Sequence, residues 1–301
     1  MTTVQPGNAC PHCGGDTESA FTTGDINRRV DDSVFTYWRC RGCGLIFLRD
    51  PPSDLARYYP DDYYAIARSL EELTAWSRSE RYKLDIVSRF RRSGHLVEIG
   101  PASGAFAYLA KVGGYDVTAI EMDSRCCEYL ASELRINVIQ SAEEAKALET
   151  VQPADVIAMW HVIEHLSDPW RMLEVAAGKL KPGGILVLAA PNPEAWQFGL
   201  FRDRWTHVDA PRHLWLIPAK VVAQRGEALG LTLRLQTTRD QGSLYWNRFG
   251  WERSFSNMCT SHVTRKLALL AGRVAAAAAS IVESREGRGS AYTMVLEKRV
   301  P

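Results

Sequence analysis

A chain of 301 residues, 46% apolar and 24% charged, has the composition of a soluble globular protein with a sizeable core. A net charge of +1 excludes a global attraction to nucleic acid or anionic membrane. No window nears the ~20 consecutive apolar residues of a membrane span.

Residues 1–8 carry no apolar run, which argues against a secretory signal. Four of the seven cysteines form two Cys-x-x-Cys pairs, a pattern that points to metal in a reducing compartment and hence to a cytoplasmic protein. The pairs are Cys10-Pro-His-Cys13 and Cys40-Arg-Gly-Cys43, 26 residues apart, each followed by a glycine. Four thiolates satisfy a tetrahedral Zn²⁺ with no open position, a structural site; iron in the same four thiolates is the alternative that ligand type leaves open. With Val34–Arg39 as a strand between the knuckles, residues 1–50 read as a small zinc ribbon whose folding depends on its metal. His12 reads as a solvated ribbon residue.

Asp50-Pro51-Pro52 marks a boundary. Residues 51–93 form a tyrosine-rich linker or lid and a helix. Tyr58, Tyr59, Tyr63 and Tyr64 either pack together or wall a ligand, with Tyr63 and Tyr64 as candidate substrate contacts. The spacing of Tyr82, Ile86, Val87 and Phe90 predicts a helix from Ser77 to Arg92.

From Gly94 onward strands and helices alternate. Leu96–Ile99 reads as a buried strand ending in the turn Gly100-Pro-Ala-Ser-Gly104, which opens a helix over Ala105–Val112. Tyr115–Ile120 is a second strand ending at Glu121. Asp123 caps a helix over Ser124–Leu134, Asn137–Ile139 is a third strand, and Asp155–Trp160 a fourth. Asp168-Pro169 starts a helix over Trp170–Leu180 that Lys181-Pro-Gly-Gly184 breaks, and Ile185–Ala190 is a fifth strand. The rhythm stops over Glu194–Ile217, then resumes with a helix over Pro218–Ala228 and a strand over Leu231–Thr237. An aromatic-rich stretch, Leu244–Phe255, precedes an Ala-rich packing helix over Val263–Val282 and a last strand, Ala291–Lys298. Apolar strands with capped helices between them predict a parallel sheet covered on both faces.

In such a sheet a ligand sits outside the carboxyl ends of the strands. Gly100 and Gly104 allow close backbone approach. Glu121, 21 positions after Gly100, is placed to accept hydrogen bonds from both hydroxyls of a ribose. The turn is neither a P-loop nor the Gly-x-Gly-x-x-Gly fingerprint, which makes a nicotinamide oxidoreductase the least favoured enzyme.

Glu98-Ile-Gly-Pro-Ala-Ser-Gly104, Ile120-Glu-Met-Asp123, Trp160-His-Val-Ile-Glu-His-Leu-Ser-Asp-Pro169 and Leu180-Lys-Pro-Gly-Gly184 resemble, in order and spacing, the class I S-adenosylmethionine-dependent methyltransferases. The resemblance implies an α/β fold: a Rossmann-like seven-stranded sheet with its last strand antiparallel, here over residues 94–301 with a substrate-facing insertion at 194–217. It implies that the turn with Glu98, Gly100, Pro101, Ala102 and Gly104 cradles the methionine part of the cofactor. Glu121 would hold the ribose, Met122 and Ala142 would flank the adenine with Ser141 or its neighbour at its edge, and Trp160 is a further candidate cofactor contact. Gln140-Ser-Ala-Glu143 departs from the family pattern, where many members carry an aspartate. The zinc ribbon, the paired tyrosines and Pro211-Arg-His-Leu214 further resemble bacterial methyltransferases acting on sugars and natural products.

Methyl transfer to oxygen or carbon requires the acceptor to lose a proton, and histidine is the usual base near neutral pH. His161, after the fourth strand, and His213, in the insertion, are the candidates. Glu164 and His165 read either as orienting the loop or as a buried pair. His207 and Arg212 are candidate contacts to a phosphate or carboxylate on a small-molecule or saccharide acceptor. An RNA methyltransferase gripping its substrate with the ribbon and a non-catalytic cofactor-binding module are the competing readings. The few basic residues of the ribbon, Arg28, Arg29, Arg39 and Arg41, argue against RNA.

Overall fold

In the computed structural model, residues 9–60, 62–259 and 261–300 are described. Residues 1–8, on which the expectation about a secretory signal rests, lie outside them.

The N-terminal strands β1 (Thr17–Gly24), β2 (Val34–Cys40) and β3 (Ile46–Leu48) form an antiparallel ribbon. The helix expected over Ser77–Arg92 is two helices, α1 (Leu70–Ser79) and α2 (Arg81–Ser88). Ser69 caps α1 through Glu72 N–H, a start signal upstream of the apolar spacing that suggested the helix.

The alternating region follows as β4 (Gly94–Ile99), α3 (Ala105–Val112), β5 (Tyr115–Glu121), α4 (Ser124–Ser132), β6 (Asn137–Gln140), α5 (Glu144–Thr150), β7 (Ala154–Trp160), α6 (Pro169–Lys179) and β8 (Leu180–Pro191). Asp123 caps α4 by accepting from Arg125 and Cys126 N–H, and Asp168 caps α6 through Arg171 N–H. Lys181–Gly184 lies within β8 as its solvent-side lead-in, so the strand begins earlier than its apolar core suggests.

Within the insertion, α7 (Trp196–Phe201) and β9 (Trp215–Leu216) were not legible as elements. Then come α8 (Ala219–Ala228), β10 (Leu231–Thr237), α9 (Gln241–Asn257), α10 (His262–Glu283) and β11 (Ala291–Lys298). The aromatic-rich stretch is therefore a helix, α9. α10 packs along α9 but is covered on one side only; Val263, Leu267, Leu270, Val274 and Ile281 remain exposed.

The large sheet has the order β10-β11-β8-β7-β4-β5-β6. β4 pairs in parallel with β5 and β7, and β11 runs antiparallel to both β8 and β10. This is the expected seven-stranded sheet with its last strand antiparallel. The ribbon's sheet has a fourth member drawn from the insertion, giving the order β1-β2-β3-β9, with Phe47 opposite Trp215. Ribbon residues Tyr37, Ile46 and Phe47 share one apolar cluster with Leu186, Leu188 and Tyr292 of the large sheet. The ribbon is thus buried against the main body, and its place beside the strand ends shapes the site.

Candidate active site

A cavity of about 1000 Å³ opens at the carboxyl ends of β4, β5 and β7, where the strand order reverses. One half is built from the turn after β4. Gly100 has φ +64°, and a Cβ there would lie 2.8 Å from Val162 Cγ2, so only glycine fits the close approach. Glu121, at the end of β5, accepts hydrogen bonds from Ala102 N–H (2.9 Å) and from Met122 and Asp123 N–H (2.8 and 2.9 Å). Its carboxylate pins the glycine-rich turn to the next strand end and is fixed at the cavity wall. Gly100, Ala102, Glu121, Met122, Ala142 and Trp160 all line this half.

Glu98, Pro101, Gly104 and Ser141 stand behind the wall. Gly104 is needed for packing: a Cβ there would meet Leu130 Cδ2 at 2.5 Å. Ser141 Oγ accepts from Glu143 N–H. Glu98 is buried, and burial pushes its carboxyl up to about 8.

The other half gathers residues from four parts of the chain. The ribbon contributes Asn27 and Arg28, the tyrosine segment Tyr59, Tyr63 and Tyr64, the loop after β7 His161, Glu164 and His165, and the insertion His207, Asp209 and His213. Helix α9 adds Trp246, Phe249 and Arg253. Three non-glycine residues of the lining, Ala102, His161 and Asp209, adopt left-handed backbone with φ of +48°, +58° and +39°. Such strain persists only where the surrounding structure imposes it, and it clusters at functional sites.

Both expected bases reach the cavity. The His161 ring lies 4.8 Å from that of Trp246, with Nδ1 3.4 Å from Glu164 Oε1. Burial, with help from the Lys83 charge, lowers His161 to about 3; its side chain keeps 21% exposure, so water at the mouth moderates that shift. His213 packs edge-on to His165 at 4.6 Å and donates from Nδ1 to the His207 carbonyl at 2.9 Å. Burial lowers His213 as well, opposed by Asp209 and Glu164. The histidines here are neutral at pH 7.

The anion-binding role expected for Arg212 has no room in this arrangement. Arg212 is fully buried: Nη2 meets Asp25 Oδ1 at 2.6 Å and Asp209 Oδ1 at 2.8 Å, and Nη1 donates to the Tyr58 carbonyl at 3.2 Å. It ties ribbon, linker and insertion together. His207 lines the cavity but donates from Nε2 to the Trp246 carbonyl at 3.0 Å, and burial holds it down at about 4. The cations facing the cavity are instead Arg28, 4.6 Å over the Tyr63 ring, and Arg253. Sequence reasoning missed these two as cavity residues, along with Asn27, Asp209 and the α9 aromatics. The crowding of aromatic residues over Leu244–Phe255 was the one available signal.

Away from the cavity, Cys10, Cys13, Cys40 and Cys43 form a cluster able to hold a metal ion. The Cys10–Cys43 and Cys13–Cys40 sulfurs are 3.7 and 3.5 Å apart, close to the edge of a tetrahedron with ~2.3 Å metal–sulfur bonds. His12 N–H points at Cys10 Sγ and Cys43 N–H at Cys40 Sγ, both at 3.4 Å, so backbone donors are aimed at two of the sulfurs. His12 itself is not free in solvent: its ring lies 4.6 Å from Trp170.

Residues 66–236, more than half the chain, match a family described as a methyltransferase domain. The chain belongs to that family. Among curated relatives of this methyltransferase-domain protein are ubiquinone biosynthesis O-methyltransferases. One from Caulobacter sp. (strain K31) is 28% identical over 120 residues, covering 35% of this chain and 48% of the relative. Another, from Caulobacter vibrioides, is 32% identical over 102 residues, covering 32% and 40%. The chain thus spans half or less of the length of these relatives. A solved SAM-dependent methyltransferase from Archaeoglobus fulgidus is 18% identical with a TM-score of 0.49, covering 73% of this chain and 93% of that one. The N-methyltransferase NodS from Bradyrhizobium japonicum, solved with S-adenosyl-L-homocysteine, is 13% identical with a TM-score of 0.47, covering 80% and 94%. Among the described residues no helix is long and apolar enough to cross a membrane.

Proposed function

We propose that this protein transfers a methyl group from S-adenosylmethionine to an oxygen or carbon of a small molecule, in the class of saccharides or natural-product intermediates. One observation carries the reading: a glycine-rich turn pinned by Glu121 and a cluster of neutral histidines face each other across one cavity. Its size is at the upper end of the ~300–1,000 Å³ usual for ligand sites, which suits two ligands meeting.

The residues present fit the cofactor. Gly100 keeps the wall free of a side chain, and Glu121, already oriented by three backbone N–H groups, has lone pairs to spare for ribose hydroxyls. When bound, S-adenosylmethionine supplies a methyl group on a positively charged sulfur. The chain's own part is to align the acceptor and take its proton. His161 or His213 serves as the base; both are neutral and so able to accept. Trp246, Phe249 and the Tyr63–Tyr64 pair provide an apolar, water-excluding surface for the acceptor. Arg28 and Arg253 suit an acceptor carrying negative charge.

The four cysteines fit a structural Zn²⁺, which would hold the ribbon in shape and so keep Asn27 and Arg28 at the cavity.

Isothermal titration with S-adenosylhomocysteine, followed by a methyl-transfer screen against nucleotide sugars, polyketides and phenols, tests the proposal. Binding together with turnover that falls sharply in His161→Ala or His213→Ala supports it. Absence of S-adenosylhomocysteine binding overturns it. Undiminished turnover in both variants overturns the assignment of the base.

A further inference from the structure

One corner of the cavity holds two side chains, Glu164 and His165, that methyl transfer as described does not use. Glu164 is 1% exposed, and neither of its carboxylate oxygens has a hydrogen-bond partner. Among the described residues only His161 Nδ1 comes within ion-pair range, at 3.4 Å. A buried carboxylate with no donor and no cation carries a large desolvation penalty, which invites a positive charge beside it.

His165 and His213 provide the rest of the corner. His165 Nδ1 lies 3.0 Å from both the Arg212 carbonyl and the Tyr59 hydroxyl; the carbonyl can only accept, so Nδ1 carries the proton and the phenol oxygen shares it. His213 Nδ1 donates in the same way to the His207 carbonyl at 2.9 Å. Each ring therefore has its lone pair on Nε2, and each is held by a backbone carbonyl from behind. A metal-ligating histidine shows this arrangement: one nitrogen tied to an outer partner, the other free to bind. One ligand atom from each of Glu164, His165 and His213 lies within 4.8 Å of the other two.

We propose that Glu164, His165 and His213 hold a divalent cation in the acceptor half of the cavity, a site separate from the four cysteines. Two imidazoles and one carboxylate suit a borderline ion such as Mn²⁺, Fe²⁺ or Zn²⁺, and three protein ligands leave open positions. With metal–ligand bonds of ~2.1 Å, side-chain shifts of about an ångström close the triangle. The open positions face the cavity, so the ligand class is an acceptor with two adjacent oxygens, such as a vicinal diol or a hydroxy-ketone.

The chemical role rests on the methyltransferase reading; the ligand set does not. Coordination lowers the pKa of the acceptor's hydroxyl. Its proton passes to His161 and then to water. The freed oxygen lone pair forms the new O–C bond as the C–S bond breaks, and that electron pair stays on the sulfur, which becomes neutral. No oxidant or reductant is involved. His213 is then a ligand, and His161 alone is the base.

Mn²⁺ is the probe, because it favours nitrogen and oxygen donors over thiolates and reads this site independently of the cysteines. The full chain, with zinc supplied to the ribbon, is titrated with Mn²⁺ while free Mn²⁺ is followed by electron paramagnetic resonance. One bound Mn²⁺ per chain is expected. Glu164→Gln, which keeps the side-chain shape, and His213→Ala are expected to weaken binding by about tenfold or more, whereas His161→Ala retains it. S-adenosylhomocysteine calorimetry on each variant reports that the cofactor half is intact. Failure of the wild type to bind Mn²⁺, or equal affinity in Glu164→Gln and wild type, overturns the site. If S-adenosylhomocysteine binds without Mn²⁺, only the metal site falls. If Mn²⁺ binds with the expected variant losses but S-adenosylhomocysteine does not, the site stands and the methyltransferase reading falls.

Discussion

The phenol of Tyr37, in the middle of the ribbon, donates to the backbone carbonyl of His213 at 2.6 Å. A residue from the N-terminal module thus fixes the backbone of a residue at the heart of the cavity, across 176 positions of chain. Tyr37→Phe leaves that buried carbonyl without its donor, which should cost about 1–3 kcal/mol of stability. Urea unfolding measures this. The same variant is expected to raise KM for the acceptor while leaving S-adenosylhomocysteine affinity unchanged. An unaltered KM together with unaltered stability would show that the contact is idle.

Glu121 holds the turn of the proposed cofactor half through three backbone hydrogen bonds. Glu121→Ala frees the turn and removes the ribose acceptor together, and a loss of about tenfold or more in S-adenosylhomocysteine affinity is expected, equivalent to ~1.4 kcal/mol or more. Calorimetry reads it directly. Wild-type affinity in the variant would remove Glu121 from the site.

Burial raises Glu98 from 4.5 to about 8, with its Oε2 unpartnered. The folded state therefore keeps a proton that the unfolded chain gives up, and folding binds protons between these two values. Stability contributed by the protonated group is complete below about pH 4.5, declines as pH rises toward 8, and is flat above. Glu98→Gln mimics the protonated form and abolishes this slope. Its advantage over wild type should be small at pH 5 and reach a few kcal/mol at pH 8.5, since each tenfold change in proton affinity is worth ~1.4 kcal/mol. Denaturant midpoints at the two pH values provide the check; equal differences at both would refute the assignment.

Removing metal from the ribbon should act on the acceptor side. Cys10 is pushed up to about 11, chiefly by burial, while Cys40 is lowered to about 7, so a metal-free ribbon lacks the closed site that four thiolates would form. Chelation is expected to lower the thermal midpoint and to reduce turnover more than S-adenosylhomocysteine binding, because Asn27 and Arg28 belong to the acceptor half. Equal losses of both would place the ribbon's influence on the whole fold.

The sheet was legible because its strands are apolar runs closed by capping residues. Leu231–Thr237 and Ala291–Lys298 match to the residue, whereas the turn at Gly100–Gly104 gained its meaning only from the other motifs that follow it in order. What escaped lacked local signal. Helix α9 has aromatic residues around most of its circumference, contacting α10, the insertion and the cavity, so no 3.6-residue stripe emerges. β9 is two residues long and exists only because β3 offers an open edge. Arg212 looked available for an anion because its counter-ion Asp25 is 187 positions away. Glu164 and His165 were visible as a pair, but that neither oxygen of Glu164 has a hydrogen-bond partner is a property of three dimensions.

The ribbon's dependence on the insertion has a consequence for synthesis. The first 50 residues leave the ribosome with the outer edge of β3 unpaired and Asp25 still hydrated, since Trp215, Leu216 and Arg212 do not yet exist. At ~5–20 residues per second, the 187 positions between Asp25 and Arg212 take roughly ten to forty seconds to make. During that interval the nascent module carries an open strand edge, the kind of feature that recruits wrong partners. Metal capture by the cysteines, as proposed above, would need only residues 10–43 and so could stabilise the module this early. The acceptor side of the cavity therefore waits for segments made long after the ribbon, and if the cysteines take up metal as proposed, a shortage of it during translation would appear first as aggregation.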